Sequence, residues 1–398
     1  MGHVLLAPDK FKGSLTAAEV VRHLTAGLHR AAPGIEVRGF PVADGGDGTL
    51  DAAVSAGFRR IPVSVAGPTG IPVRTAFGYA DGVAVVELAD ACGLRRLPAG
   101  VPEPLRASSR GAGEVIRAAL EYGCAEVVLG LGGSASTDGG AGLVGALGVR
   151  LLDERGAELP PGGAALRHLC RIDLTGLHPA VRRTRFVVAG DVDNPLLGPT
   201  GAAAVYGPQK GATAGDVAVL EAGLTRWAGL AEAAVRDVEL VGAAGSAGAG
   251  RPGQPVSAWP GAGAAGGVGF AALGFLGARF RPGIELLLEL LGFPEAVAGA
   301  DLVVTGEGSL DLQSLHGKAP VGVARAAGRA GVPTVAVAGR VSVGPDELRD
   351  AGIRAAYPLT DLEPDQAACL DRAAELVGKV AETLAADWLD PAGPPRRR

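Results

Sequence analysis

The sequence repeats one pattern near both ends of the chain: a short apolar run, a loop rich in glycine and aspartate, and an amphipathic helix. The apolar runs cover residues 4–7, 36–42 and 301–305, and two more follow at 333–338 and 355–359. Strand–loop–helix units in series are typical of a parallel sheet covered by helices. The two ends of the 398-residue chain are therefore predicted to form one doubly wound α/β domain of Rossmann-like or flavodoxin-like type.

The middle of the chain follows a different pattern. Three alternating segments between residues 61 and 88 are separated by Gly/Pro turns, and apolar strands at 126–131 and 185–189 come later between helices. These segments predict a second, inserted α/β domain with a mixed sheet. We expect residues 1–65 and 291–390 in the first domain and 66–290 in the second. The stretch at about 241–260 is predicted to be a flexible insert and residues 391–398 a disordered tail.

Charge and composition exclude several classes of protein. The chain carries 37 Lys and Arg against 42 Asp and Glu, a net charge of −5, with only three Trp and four Tyr. A nucleic-acid binder needs a basic stripe, often with stacking aromatics, so none is expected as a partner. No signal peptide or membrane span is visible. The four scattered cysteines are expected to be buried thiols, and the protein is predicted to be cytoplasmic, either a monomer or a homodimer.

Acidic, basic and small residues gather in the loops that leave the predicted strands. These loops lie at residues 12–14, 44–49, 132–140, 190–195 and 307–311. In an open α/β sheet, ligands bind beyond the carboxyl ends of the strands. Small-residue loops at helix N-termini wrap phosphate with backbone N–H groups, and phosphoryl transfer also needs carboxylates for Mg²⁺ and cations against developing charge. The competing explanation is that Asp44, Asp138 and Asp191 only form turns or cap helices.

Glycine-rich motifs alone decide little in this chain. G-x-G-x-x-G occurs at 140–145, 248–253 and 261–266, but the chain holds 64 glycines and none of the three follows a clear strand at the start of the chain. A Rossmann oxidoreductase is therefore disfavoured. The P-loop, HExxH, GxSxG and protein-kinase signatures are absent from the sequence.

An ordered set of motifs resembles the bacterial glycerate kinase family, type I. The motifs are DKFKGSL (9–15), ADGGDGT (43–49), GLGGSASTDGGAG (130–142), DVDNPL (191–196), YGPQKGA (206–212), GAGAAGG (261–267) and TGEGSLDLQS (305–314), with GKAP at 317–320. The resemblance implies a kinase that transfers phosphate from ATP to D-glycerate with Mg²⁺ as cofactor. The usual product would be 2-phosphoglycerate, with 3-phosphoglycerate as the alternative, and the site would lie in a cleft between two domains.

The sequence departs from the family pattern in a few places. Asp193 stands where threonine is common, Gly190 where cysteine is common, and the insert at 241–260 is long. An extra carboxylate near a phosphate site can alter metal binding.

Roles for the candidate residues follow from the chemistry of phosphoryl transfer. Asp191 or Asp44 would accept the proton of the acceptor hydroxyl, and Lys12 would bind the substrate carboxylate or the γ-phosphate. Glu307 and Asp311 would hold Mg²⁺. Further substrate or phosphate contacts are expected from Ser14, Gly45, Gly46, Asn194, Lys210 and Lys318. The nucleotide phosphates would lie on the loop that contains Gly132, Gly133, Ser134, Ser136, Thr137 and Asp138.

Two other functions remain open from sequence alone. One is a non-catalytic sensor of sugar acids or nucleotides, which would need anion sites but no metal carboxylates. The other is a kinase for a related small hydroxy acid. The pair Glu307 and Asp311 favours an enzyme over a sensor.

Overall fold

A computed structural model describes residues 2–236 and 253–389. By their contacts the residues divide into two compact units. The terminal unit consists of Met1–Asp44 and Ile284–Arg398, and the central unit is the continuous segment Gly45–Gly283.

The described residues form strands and helices in the following order. The strands are β1 (His3–Pro8), β2 (Val37–Gly39), β3 (Arg59–Ala66), β4 (Pro72–Ala80), β5 (Val83–Glu87), β6 (Glu126–Gly130), β7 (Arg150–Leu152), β8 (Arg171–Asp173), β9 (Arg185–Ala189), β10 (Arg279–Arg281), β11 (Ala300–Leu310), β12 (Thr334–Val341) and β13 (Ile353–Pro358). The helices are α1 (Ala17–Ala31), α2 (Thr49–Ser55), α3 (Leu88–Cys92), α4 (Arg110–Tyr122), α5 (Ala141–Ala146), α6 (Ala202–Tyr206), α7 (Ala214–Val235), α8 (Ala264–Phe275), α9 (Gly283–Leu290), α10 (Phe293–Val297), α11 (Ala319–Arg329), α12 (Pro345–Asp350), α13 (Gln366–Asp371) and α14 (Ala373–Trp388).

The terminal unit is built on a five-stranded sheet in the order β13-β12-β11-β1-β2, and every neighbouring pair is parallel. Counted within this unit, the order is 2-1-3-4-5, which is the flavodoxin-like doubly wound arrangement. The predicted α/β fold class is confirmed.

Alternation along β1 explains why helices cover both faces of this sheet. Val4 and Leu6 pack with α1 and α14, whereas Leu5 and Ala7 pack with α9, α10 and α11. Successive side chains of a strand point to opposite faces, so a fully apolar strand needs a layer on each side.

The central unit contains a six-stranded sheet in the order β10-β9-β6-β5-β4-β3. The β10–β9, β9–β6 and β6–β5 pairs are parallel and the β3–β4 and β4–β5 pairs are antiparallel, so the sheet is mixed as predicted. Trp227, fully buried, stacks on Phe275 and meets Phe270 edge-on in the core beside this sheet.

The boundary between the units differs from the predicted residue 65. β3 hydrogen-bonds along its whole length with β4, so residues 45–65 lie in the central unit. β3 and β4 form a hairpin, and hairpin strands belong to the same sheet. The sequence pattern gave no signal for where the boundary between the units falls before this hairpin.

Helix α1 is capped by Thr16 in a capping box with Glu19, and the Ser14 hydroxyl donates to the Phe11 carbonyl. Two local expectations differ from the structure. Strand β11 continues to Leu310 because its backbone stays paired with β12, so Glu307 lies in a strand and not in a loop. Cys170 is exposed, whereas Cys92, Cys124 and Cys369 are buried.

Part of the insert expected to be flexible is held by hydrogen bonds. In the described part of that stretch, the backbone N–H of Ser257 donates to Glu232 and the indole of Trp259 donates to the Gln254 carbonyl. The rest of the predicted insert, up to residue 252, and the tail at 391–398 lie outside the described residues. Over residues 2–236 and 253–389, we find no helix that combines the length and apolar character of a membrane span.

A matched pair of glycine substitutions tests the contact of α4 with β3. A Cβ on Gly111 would lie 1.9 Å from the carbonyl oxygen of Ala66, whereas a Cβ on the exposed Gly229 in α7 would meet nothing within 4 Å. We expect Gly111→Ala to lower the free energy of unfolding by about 1–3 kcal/mol through overpacking. Gly229→Ala should raise it by about 0.5–1 kcal/mol because alanine is the better helix former. Urea unfolding followed by tryptophan fluorescence measures both, and a Gly111→Ala variant as stable as Gly229→Ala would contradict this packing.

Candidate active site

The five-stranded sheet changes direction of winding between β1 and β11, and two carboxylates lie at this point. Pro8 is paired with Gly306, and the next residues along the two strands are Asp9 and Glu307. Ligands of doubly wound sheets bind at such a switch point, beyond the carboxyl ends of the strands. The carboxyl ends of β1 and β11 therefore form the candidate site of the terminal unit.

Asp9 is an ionisable group that the sequence analysis did not select. It is only 6% exposed, and burial raises its pKa to about 6, with Asp44 adding to the rise and Lys10 opposing it. The Lys10 backbone N–H donates to Asp9 Oδ1 at 2.6 Å. Its position directly after β1, in the motif DKFKGSL, was the available signal.

Glu307 is the second shifted carboxylate at this point. Burial raises its pKa to about 7; the Ser314 hydroxyl and Lys318 lower it, and Asp9 and Asp311 raise it further. Its Oε1 is buried and has no hydrogen-bond partner among the described residues. A carboxylate held in this state can exchange a proton or accept a metal near neutral pH.

The predicted magnesium ligands differ in their surroundings. Asp311 Oδ1 accepts from the backbone N–H groups of Gln313 at 2.9 Å and Ser314 at 3.2 Å, so this carboxylate also shapes the turn after β11. Within residues 2–236 and 253–389 no three His, Cys, Asp or Glu side chains are grouped as a metal site. Because Mg²⁺ keeps several waters and takes one or two carboxylates plus substrate phosphates, Glu307 and Asp311 fit such an ion, and their role stays a prediction.

The predicted cations of the terminal unit lie on neighbouring segments. Lys12 is exposed. Its backbone nitrogen lies close to Gly308, since a Cβ built on Gly308 would be only 3.0 Å from that nitrogen. Lys318 precedes α11 and is half-buried, and its charge acts on Glu307. The structure therefore brings Asp9, Glu307 and Lys318 together and places the Lys12 segment beside them.

In the central unit, Gly45 and Gly46 pack directly on the carboxyl ends of β6 and β9. The Gly45 carbonyl accepts from the Gly132 N–H at 3.1 Å, and a Cβ on Gly45 would lie 2.8 Å from the Ala189 oxygen. Gly45 also has φ +93°, which only glycine adopts without strain. Gly45 is thus needed for the close approach of these backbones.

Glu87, another residue that the sequence analysis missed, holds this loop. The side chain is 5% exposed, and Oε2 accepts from the backbone N–H groups of Gly48 at 3.1 Å and Leu50 at 3.0 Å. Burial raises the pKa of this carboxyl to about 7. Glu87 lies at the last position of β5, and this position was its only sequence signal.

The glycine-rich loop between β6 and α5 contains two hydroxyls without partners. Ser136 and Thr137 are fully buried, and neither hydroxyl has a hydrogen-bond partner in the described part of the chain. Buried hydroxyls are normally bonded, so an exception indicates strain or a functional role. Gly132 and Gly133 precede them at the open side of the loop, where Gly133 is exposed.

Asp138 ends this loop and is 1% exposed. Its carboxylate accepts hydrogen bonds from Ser108 Oγ (3.3 Å), Ser109 N (2.8 Å), Ser109 Oγ (2.9 Å), Gly140 N (3.2 Å) and Gly142 N (3.2 Å). The Asp138 carboxylate thus joins the loop to the first turns of α4 and α5. For Asp138 the structure thus shows the competing role named in the sequence analysis, in which the carboxylate binds backbone N–H groups at the start of helices.

Lys210 supports the same loop from inside the protein. It is 3% exposed, and Nζ donates to Ser134 Oγ at 2.8 Å and to the Ser136 carbonyl at 2.6 Å. Burial lowers its pKa to about 7, partly opposed by Asp138. The structure places this ammonium under the loop, and its bonds there are to protein atoms.

The glycine-rich segment 261–267 packs behind the loop as well. Ala265, Gly266 and Gly267 all have positive φ, and the Gly266 carbonyl accepts from the Gly139 N–H at 2.9 Å. A Cβ on Gly266 would lie 2.0 Å from the Ser136 oxygen. The motif serves close packing and does not form a dinucleotide fingerprint, because it does not follow a strand.

The loop after β9 holds Asp191, Asp193 and Asn194. Asp191 is exposed, and its Oδ1 accepts from the Gly283 N–H at 2.9 Å. Asn194 Nδ2 donates to the Thr200 carbonyl at 2.8 Å and its Oδ1 accepts from the Tyr206 hydroxyl, so both ends of the amide are used within the unit. Burial raises the pKa of the Tyr206 hydroxyl, and the negative charge of the exposed Asp193 raises it further.

Comparison with known proteins identifies the family of this chain. The sequence model of the Glycerate kinase family matches residues 4–389. Among similar proteins, the glycerate kinase of Bacillus subtilis (strain 168) is 43% identical over 390 residues, which covers 96% of this chain and 97% of that protein. The glycerate 2-kinase of Escherichia coli (strain K12) is 40% identical over 359 residues, with 89% of each chain covered.

A solved structure shows the same fold. The crystal structure of a Salmonella typhimurium LT2 protein described as a glycerate kinase 2 superimposes with a TM-score of 0.79 at 37% sequence identity, covering 97% of this chain and 98% of that one. These similarities define an α/β phosphotransferase that acts on an alcohol group. The chain belongs to the glycerate kinase family.

A substitution at Glu307 tests the electrostatics of the terminal unit. Its pKa rises from 4.5 to about 7 on folding, so ionisation costs the folded state stability as the pH increases through this interval. We expect Glu307→Gln to raise the free energy of unfolding at pH 8 by on the order of 1–3 kcal/mol and to change it little at pH 4.5. Urea unfolding at the two pH values measures the difference. The exposed Glu154→Gln serves as the control, and an equal gain at both pH values would contradict the assignment.

Proposed function

We propose that this protein is a glycerate kinase that uses ATP and Mg²⁺ to phosphorylate D-glycerate at its 2-hydroxyl. The observation that carries the proposal is the glycine-rich turn after β6, held from inside by Asp138 and Lys210. Such a turn offers backbone N–H groups to phosphate oxygens. The E. coli relative is a glycerate 2-kinase, which supports 2-phosphoglycerate as the product. We place the reaction in the cytoplasm.

The nucleotide phosphates would be bound by the loop 132–138. Gly132 and Gly133 lie at its open side, and the hydroxyls of Ser136 and Thr137 are covered in the present conformation. We infer that phosphate binding shifts the loop enough for these two hydroxyls to donate to phosphate oxygens. Their lack of partners without ligand makes such a shift favourable.

The terminal unit would supply charge for the transfer. Glu307 and Asp311 would hold Mg²⁺, which when bound neutralises the phosphate oxygens. Asp9, buried beside Glu307, would support the metal through water or keep the charge of the site in balance. Lys12 and Lys318 would face the negative charge that builds up on the transferred group.

The acceptor hydroxyl must lose its proton during the transfer. Its oxygen forms a bond to the γ-phosphorus, the bond from the γ-phosphorus to the bridging oxygen of ADP breaks, and a carboxylate takes the proton. Asp191 and Asp44 are the two candidates for this base. The Gly283 N–H holds one oxygen of Asp191.

The reaction itself is tested by coupled ADP release. With ATP, Mg²⁺ and D-glycerate we expect turnover well above the no-acceptor control and above L-glycerate, with 2-phosphoglycerate identified by ³¹P and ¹³C NMR. A 3-phosphoglycerate product would be consistent with a glycerate kinase but would contradict phosphorylation at the 2-hydroxyl. No turnover with D-glycerate, despite ATP binding, would overturn the acceptor and favour another hydroxy acid.

The unpartnered hydroxyls are tested by two isosteric substitutions. Thr137 and Thr334 both have buried hydroxyls without partners, but Thr334 lies at the start of β12, away from the loop. Replacing either by valine should raise the stability of the ligand-free protein by about 1 kcal/mol, because no hydrogen bond is lost. Only Thr137→Val should raise KM for ATP, by about tenfold. Equal KM values for the two variants would show that Thr137 does not contact the nucleotide.

A further inference from the structure

The central unit contains a cavity of about 330 Å³ that no step described above uses. It opens between the first turns of α4 and α5 and the segment after β7. Its lining consists mainly of aliphatic, proline and glycine residues, among them Val149, Leu151, Leu166, Gly142, Gly145 and Gly162. Its volume lies at the lower end of the range for small-molecule sites.

The lining favours a largely uncharged ligand. The two charged residues of the rim are paired within the protein, Arg110 with Glu114 at 2.8 Å and Glu158 with Arg150 at 2.9 Å. Gly145 in α5 leaves open space where another residue would place its side chain, since a Cβ there would meet nothing within 4 Å. A cavity lined mainly by apolar groups, with a few polar atoms at its rim, is typical of a site for a ring with apolar faces.

The cavity also adjoins the proposed phosphate loop. Ser108 and Gly142 line it, and both donate to the Asp138 carboxylate, which ends the loop. Gly162 also lines the cavity, and a Cβ built on the next residue, Gly163, would lie 2.1 Å from the Thr137 carbonyl oxygen. The cavity and the loop therefore adjoin at Ser108, Gly142 and Gly163.

We propose that this cavity binds the purine ring of the phosphoryl donor. The inference rests on the proposed function, because it takes the loop 132–138 as the site of the donor phosphates. The acceptor, a small carboxylate with two hydroxyls, is too polar for an aliphatic slot whose charges are already paired. A nucleobase has apolar faces and a polar edge, and it is the one part of the donor that such a slot suits.

Filling the cavity from Gly145 tests the assignment. Gly145→Leu places an isobutyl group in the slot, and Gly145→Ala places a methyl there with less risk to folding. Gly229→Leu is the matched control, because Gly229 is also a helical glycine of the central unit with open space at its Cβ. Isothermal titration with Mg²⁺-ATP and with Mg²⁺-tripolyphosphate, without acceptor, separates the base from the phosphates. Thermal unfolding verifies that each variant is folded.

We expect Gly145→Leu to weaken ATP binding at least tenfold and Gly145→Ala about threefold, with tripolyphosphate affinity unchanged within twofold. Gly229→Leu should leave both affinities unchanged. ATP affinity within twofold of wild type in Gly145→Leu would overturn the proposal. Equal weakening of both ligands would also overturn it, because the effect would then act through the phosphate loop.

The turnover of the wild-type protein separates this inference from the proposed function. If wild type phosphorylates D-glycerate and Gly145→Leu binds ATP normally, only the cavity assignment fails. If wild type binds ATP but does not phosphorylate D-glycerate, the acceptor assignment fails, and the comparison of ATP with tripolyphosphate still decides the role of the cavity.

Discussion

Close packing of backbone on backbone at the carboxyl ends of β6 and β9 is the constraint on which the central unit depends. Gly45 lies on Gly130 and Ala189, and Gly266 lies on Ser136, at distances where a Cβ would be 2.0–2.8 Å from the facing atoms. This packing stacks three chain segments of distant sequence within one layer. It explains why the candidate phosphate loop is small-residue throughout and why its conformation is set from behind by Asp138 and Lys210.

The ionisable groups at both candidate sites carry a cost in stability. Asp9, Glu87, Glu307 and Lys210 are buried with pKa values moved toward neutrality. Each of them favours its neutral form inside the protein, so an ordinary core would replace it by an apolar residue. Buried ionisable groups with shifted pKa values, and unpartnered buried hydroxyls such as those of Ser136 and Thr137, are typical of functional sites.

The sequence predicted the fold class and the parallel sheet well, because apolar strands and amphipathic helices have periods that can be read directly. It placed the loop candidates at strand ends, and Asp191, Gly132 and Glu307 do lie at or near such ends. It placed the boundary between the units at residue 65, inside β3, whereas residues 45–65 belong to the central unit together with β4, the hairpin partner of β3. It also missed Asp9 and Glu87, whose importance lies in burial, and it could not tell that Asp138 and Lys210 are enclosed by protein atoms. Motifs mark where a residue stands along the chain, whereas burial depends on what packs over it.

The position of β1 has a consequence for the order in which the chain folds during synthesis. β1 is an inner strand of the five-stranded sheet, and its partner β11 begins about 300 residues later, as in the pairing of His3 with Ala300. The continuous segment Gly45–Gly283 is complete before β11 leaves the ribosome. The apolar first strand must therefore wait, with one edge unpaired, while the second unit folds, so a nascent chain is most vulnerable to aggregation at its own beginning.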